Sequence, residues 1–118
     1  SCCGLTMAQC HALVEIGRAK RISLVDLSGM IGLDTSTMSR TVNNLVTKKM
    51  AKSELDPNDR RYVTIQLTPA GDAHFREIES SMESYFGKIY EAIPEQDRAQ
   101  VLKSLAILLK AIEDSDCC

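Results

Sequence analysis

Apolar residues recur along the first half of the chain at the three- and four-residue steps of a helix face. The stretch Leu5-Thr6-Met7-Ala8-Gln9 opens the first helix, with Thr6 as N-cap and Gln9 three residues on as its capping-box partner, and the pattern carries to about Arg18. A second, shorter helix starts at Ser23, places Leu24, Leu27 and Ile31 on one side and ends at Gly32. Asp34 or Thr35 caps a third, from about Ser36 to Lys49, that is expected to bury Met38, Val42, Leu45 and Val46. Its other faces carry Thr35, Ser36, Thr37, Ser39, Arg40, Asn43 and Asn44, more hydroxyls and amides than a helix packed on all sides tolerates.

The period then changes. From Tyr62 to Thr68 apolar and polar residues alternate, with Val63, Ile65 and Leu67 on one side, which predicts a strand. A second extended piece, about Ala51 to Leu55, precedes it. The linker Asp56-Pro57-Asn58-Asp59-Arg60-Arg61 is rich in turn formers, so the two strands are expected to make a hairpin with both arginines at its tip. After Pro69, which suits a helix's first turn, a long helix carries Phe75, Ile78, Met82, Tyr85, Phe86, Ile89 and Ile93. Pro94 interrupts it, and Val101, Leu102, Leu105, Leu108, Leu109 and Ile112 mark a last helix.

Two short helices joined by a three- or four-residue turn, the second studded with hydrogen-bonding groups, form a helix-turn-helix that fits a major groove. A hairpin directly after it is a wing, and arginine at its tip suits a narrow minor groove, where negative potential is greatest. The fold class is therefore mainly α with a small β-hairpin wing (α+β), a winged helix-turn-helix followed by C-terminal dimerisation helices. The apolar stripes of the last two helices exceed what the helix-turn-helix can cover, which predicts a homodimer with two recognition helices ~34 Å apart on a palindromic site in double-stranded DNA.

Composition sharpens this picture in three respects. At 118 residues and 44% hydrophobic content the chain suffices for one domain, residues 1–118, with residues 5–68 as the DNA-binding part and 69–118, with the N-terminal segment, as the dimerisation helices. No apolar run has the length of a membrane span, and Ser1-Cys2-Cys3-Gly4 lacks a basic-then-apolar leader pattern, so a cytoplasmic protein without membrane contact is expected. The formal net charge is −2, yet residues 35–61 carry six basic against three acidic side chains, while residues 69–118 carry five against ten. A basic middle in an acidic chain suits one face turned toward phosphates, although charge alone fits a solvated face equally well.

The order of these elements resembles the MarR family of bacterial transcriptional regulators over nearly the whole chain. The resemblance is carried by Leu5-Thr6 with Gln9, by Ser36 through Ser39-Arg40-Thr41-Val42 to Leu45, and by Asp56-Pro57-Asn58-Asp59-Arg60-Arg61 followed by Leu67-Thr68-Pro69-Ala70-Gly71. It implies a DNA-binding regulator, in most cases a repressor released by an effector, in which Arg61 is the minor-groove arginine held by the Asp59 carboxylate and Arg60 favours a phosphate. Ser36, Thr37, Ser39, Arg40 and Asn43 are the candidate base readers, since arginine pairs with guanine and asparagine with adenine. Arg40 is equally suited to a phosphate. Lys48 completes the DNA-binding set, with Lys49 and Lys52 adding positive charge. The chain departs from the family pattern at Lys49, where glycine commonly ends the recognition helix, and at Ser53, where a basic residue often starts the wing. Family members also usually carry a further helix ahead of the Leu5-Thr6 position.

Five cysteines remain to be explained. Chain ends in this family meet at the dimer interface, which would bring Cys2, Cys3, Cys10, Cys117 and Cys118 together as thiolates for a soft metal, a metalloid such as arsenite, or an oxidant. Against this stands Cys10 as a small core residue and the terminal pairs as plain thiols. The family's usual effector, a small aromatic or phenolic compound in a cleft, is the alternative. His11 and His74 read as surface or interface residues. Zinc-finger spacing, a phosphate-binding glycine loop, a nucleophile elbow and a His-Glu metal helix are all lacking, so neither an enzyme nor a required cofactor is expected. A protein-interaction module would explain the apolar helices and leave Arg40, Arg60 and Arg61 without a purpose.

Overall fold

The computed structural model of the protein describes residues 4–115. Its elements run α1 (Met7–Ala19), β1 (Ile22–Ser23), α2 (Leu24–Ile31), α3 (Thr35–Thr47), β2 (Ala51–Leu55), β3 (Val63–Leu67), α4 (Pro69–Ala92) and α5 (Arg98–Asp114), with a 3-10 turn at Glu95–Asp97. The described chain falls into two compact units that divide between Ser81 and Met82.

In the first unit each of the first three helices starts where a side chain satisfies its unpaired amides. At α1 the Gln9 N–H donates to the Thr6 hydroxyl (3.2 Å) and the Thr6 N–H donates to the Gln9 side-chain carbonyl (3.3 Å), a complete capping box. Ser23 caps α2 through the Asp26 N–H (3.0 Å), and Gly32, at φ 82°, ends it with its N–H on the Ser28 carbonyl. Three residues then separate α2 from α3, which Asp34 caps. The core gathers Leu5, Leu13, Ile16, Leu27, Met38, Leu45 and Ile65, all essentially without solvent contact, each contributing roughly 1.5–3 kcal/mol by burial.

The hairpin pairs β2 with β3 in antiparallel register, Ser53 opposite Ile65 and Leu55 opposite Val63. A third strand completes the sheet, in the order β1-β3-β2, with Ile22 opposite Ile65. Two residues are too few to show any alternation, which is why the pattern of the chain alone did not reveal β1. Val46 departs from expectation as well, being exposed because the core already closes over Met38, Val42 and Leu45 one turn to the side.

Gly71 locks the hairpin to α4. A Cβ on Gly71 would meet the Met50 backbone, so only glycine lets the two chains lie this close. Around it the Thr68 N–H donates to the Met50 carbonyl (3.0 Å), the Thr68 hydroxyl donates to the Lys49 carbonyl (2.7 Å), and the Gly71 N–H donates to the Thr68 hydroxyl (3.1 Å).

The second unit has a different character. No residue of α5 is buried, and Leu102, Leu105, Leu108, Leu109 and Ile112 are 50–60% exposed. Tyr85 and Phe86 of α4 are similarly open, at 63% and 56%. Arg98 folds back over the Tyr90 ring, 4.9 Å from its centre, and donates to the Ile93 carbonyl (3.1 Å), holding the chain through the Pro94 break. No described helix is long and apolar enough to cross a membrane.

Candidate nucleic-acid interface

The polar face of α3 is built by the same periodicity that buries its other side. Met38, Thr41, Val42 and Leu45 face the core, with the Thr41 hydroxyl donating to the Thr37 carbonyl (3.0 Å). Ser36, Arg40 and Asn43 follow one another at steps of four and three and are exposed; Thr47 continues the stripe and was not among the expected readers. Ser39 is half-buried beside the stripe.

Thr37 has a second task. Its N–H and its hydroxyl both donate to the Asp34 carboxylate, at 2.8 and 2.9 Å, so Thr37 helps to start the helix it was expected to read from. These bonds, the backbone one foremost, hold the Asp34 carboxyl below the usual carboxylate range.

The wing tip is shaped by two aspartates. Asp56 accepts the Asn58 N–H (2.8 Å), and Asp59 accepts the Arg61 N–H (3.1 Å), each closing a short side-chain turn. The same Asp59 carboxylate receives Arg61 Nε (2.9 Å) and Nη2 (2.7 Å) in a two-pronged pair. The Arg61 guanidinium, first through that side-chain bond, lowers the Asp59 pKa and is itself raised. Arg61 therefore stands in a set direction while remaining 83% exposed, with Tyr62 beside it at 5.9 Å. Arg60 is exposed next to it.

Lys48 sits apart from the stripe, with its ammonium on the Gly4 carbonyl (2.9 Å) and the Gln9 side-chain carbonyl (3.2 Å). Arg21 is a residue that sequence reasoning passed over. Its Nε and Nη2 donate to the Thr64 hydroxyl at 3.3 and 3.2 Å and it lies 3.7 Å from Glu54, so from its place just before β1 it braces both strands of the wing.

Of the cysteines, Cys10 is half-buried and packs against the core, while Cys2, Cys3, Cys117 and Cys118 lie outside the described residues. Among the described residues no group of three or more His, Cys, Asp or Glu side chains is placed to hold a metal. His11 is exposed, 4.0 Å from Glu15. His74, expected as a surface or interface residue, is half-buried with Nδ1 enclosed. A cleft of about 420 Å³ within the first unit is bordered by Gly17, Lys20, Gln66, Phe75 and Arg76, with Asp72 paired to Arg76 at 2.8 Å.

A capped helix-turn-helix, a three-stranded antiparallel sheet and an arginine-tipped hairpin together define a winged-helix protein. The MarR family model matches residues 4–61 of the chain. Members of this family are DNA-binding regulators rather than enzymes. Among curated relatives, the uncharacterized HTH-type transcriptional regulator YsmB of Bacillus subtilis is 28% identical over 93 residues, 79% of this chain and 62% of YsmB. The chain thus spans a little under two thirds of the length of YsmB and of the Bacillus subtilis regulator YdgJ. Among solved structures, FabT of Streptococcus pneumoniae in complex with DNA superposes with a TM-score of 0.90 at 24% identity, covering 94% of this chain and 78% of FabT. BpsR of Bordetella bronchiseptica, whose DNA binding is regulated by 6-hydroxynicotinic acid, gives 0.74 at 27% identity, covering 97% and 79%.

Proposed function

We propose that this protein is a cytoplasmic transcriptional regulator that binds duplex DNA as a homodimer and acts as a repressor at a palindromic operator. The observation that carries this reading is the pairing of an exposed Ser36-Arg40-Asn43 stripe with a wing arginine pre-set by Asp59. The stripe suits the major groove, with Ser36, Thr37, Ser39, Arg40 and Asn43 as the readers of base edges. Arg61 suits the adjacent minor groove and Arg60 a phosphate. A single domain spans residues 1–118, with residues 5–68 binding DNA and residues 69–118 making the dimer. The exposed leucines of α5 support that assignment, because a second copy would cover them. The DNA complex of FabT and the DNA binding of BpsR accord with the reading.

Release by an effector completes the proposal. The cleft beside Lys20, Phe75 and Arg76 offers an aromatic face with two cationic side chains, a setting for a small aromatic acid of the kind that regulates BpsR. Sensing of a soft metal, metalloid or oxidant by Cys2, Cys3, Cys10, Cys117 and Cys118 is the competing proposal, and it rests on the sequence alone.

Titration of duplex DNA at several salt concentrations tests the central reading. Binding should weaken steeply with salt, and Arg61→Ala should reduce both the affinity and the slope; a parent protein indifferent to DNA at low ionic strength would refute it. Aromatic acids and arsenite added to the preformed complex then separate the two effector proposals.

A further inference from the structure

Lys48 is basic and follows the recognition helix, and charge alone would give it to a phosphate. Its surroundings indicate a different task. Lys48 ends α3, its own N–H donating to the Asn44 carbonyl (3.0 Å). Its ammonium turns inward onto two acceptors at the start of α1, the Gly4 carbonyl and the Gln9 side-chain carbonyl, which occupies two of its three donors.

Both acceptors are themselves held. Gln9 is 8% exposed, and the same side-chain oxygen accepts the Thr6 N–H in the capping box. Leu5, between Gly4 and Thr6, is 1% exposed in the core. To reach a phosphate, Lys48 would have to leave a largely buried amide oxygen one partner short, which is unfavourable. At its present place the ammonium also lies at the negative end of the α3 dipole.

We propose that Lys48 is a positioning residue: it pins the C-terminal end of α3 to the entrance of α1 and so sets how the Ser36-Arg40-Asn43 stripe is presented. Asp34 caps the other end of the same helix through Thr37, so the tie to a neighbouring element lies at the Lys48 end. The anchor at Lys48 immediately precedes Lys49, whose φ of 62° swings the chain out of the helix toward the wing. A displacement of the chain where it enters α1 is therefore passed to α3 through the Gly4 carbonyl.

The inference rests on the DNA-binding reading above, and its test keeps the two apart. Lys48→Met, Lys48→Arg and Arg61→Ala are compared with the parent on two duplexes, one selected by the parent from a random library and one of random sequence. A positioning role predicts that Lys48→Met binds the selected duplex about tenfold more weakly, with an unchanged salt slope and unchanged binding to the random duplex. Lys48→Arg, which can still donate to both carbonyls, should restore binding. A salt slope shallower by about 0.9, the value of one phosphate no longer neutralised, with both duplexes weakened alike, would overturn the proposal in favour of a direct phosphate partner. So would an unchanged affinity.

Amide exchange in the free protein supplies a readout that needs no DNA. Lys48→Met should speed exchange at the Lys48 and Lys49 amides and at Gln9, and Lys48→Arg should not. Unchanged exchange in Lys48→Met overturns the anchor even if the protein binds DNA as proposed. Faster exchange in a protein that ignores every duplex upholds the anchor and removes the DNA-binding reading.

Discussion

Replacing Gly71 by alanine tests the joint on which the wing's position depends. The new Cβ would press on the Met50 carbonyl oxygen and lie 2.8 Å from its carbonyl carbon. Carbon atoms rest about 3.5–4.0 Å apart and the carbonyl oxygen is nearer still, so one backbone must retreat by more than ~1 Å. Neither is free to do so cheaply. The Met50 N–H donates to the Leu45 carbonyl (2.9 Å), the Met50 carbonyl accepts from Thr68, and Thr68 in turn binds Lys49 and Gly71. Overpacking of this kind costs about 1–3 kcal/mol, and each hydrogen bond broken adds about 1 kcal/mol. Alanine's better helix propensity returns roughly 1 kcal/mol. The net expectation is a loss of about 2–4 kcal/mol, read as the shift in urea midpoint by circular dichroism at unchanged m-value. Gly29→Ala is the matched control, since an added Cβ there meets nothing within 4 Å, and it should stabilise by about 0.5–1 kcal/mol. A Gly71→Ala protein as stable as the parent would refute the argument that contact with Met50 demands glycine.

Other consequences follow from single contacts. Lys49 holds a left-handed conformation, at φ 62°, without being glycine, so Lys49→Gly should raise stability by about 1 kcal/mol in the same urea experiment. Asp34 and Asp59 have carboxyls held below the ordinary 3.8 by Thr37 and Arg61 respectively. Groups with a depressed folded pKa contribute stability in full above the unfolded value and lose it as pH falls through the lower folded one. The unfolding midpoint should therefore fall as the solution is acidified below 3.8, and Asp34→Asn, which still caps α3, should flatten part of that fall. Leu105→Glu on the exposed side of α5 should shift the protein from dimer to monomer in light scattering and abolish tight DNA binding.

The elements that the sequence announced were those with strong local chemistry. Thr6 with Gln9, Ser23, Gly32 and Asp34 are cap residues whose side chains or backbone act within three or four positions, so α1, α2 and α3 start or stop where those residues stand. Alternation from Tyr62 to Thr68 exposed β3, and Asp59 beside Arg61 is a pairing local enough to read from two positions. What escaped depends on distant partners. β1 exists because Ile22 meets Ile65, and Arg21 braces the wing only because Thr64 lies 43 residues away in sequence. Lys48 looks like any basic residue until the Gln9 carbonyl is seen beside it. Lys49 stands out in the sequence as an unusual helix end; the helix stops at Thr47 with Lys48 as its C-cap, and Lys49 follows in a left-handed conformation that turns the chain toward Met50 and its contact with Gly71.

Hydroxyl-radical footprinting on a duplex selected from a random library addresses the central claim most directly. Two α3 stripes and two Arg61 tips, offered by a dimer, should protect two half-sites centred ~34 Å apart and related by a twofold axis, with added minor-groove protection that Arg61→Ala removes. A single unpaired patch of protection, or none at low ionic strength, would contradict it.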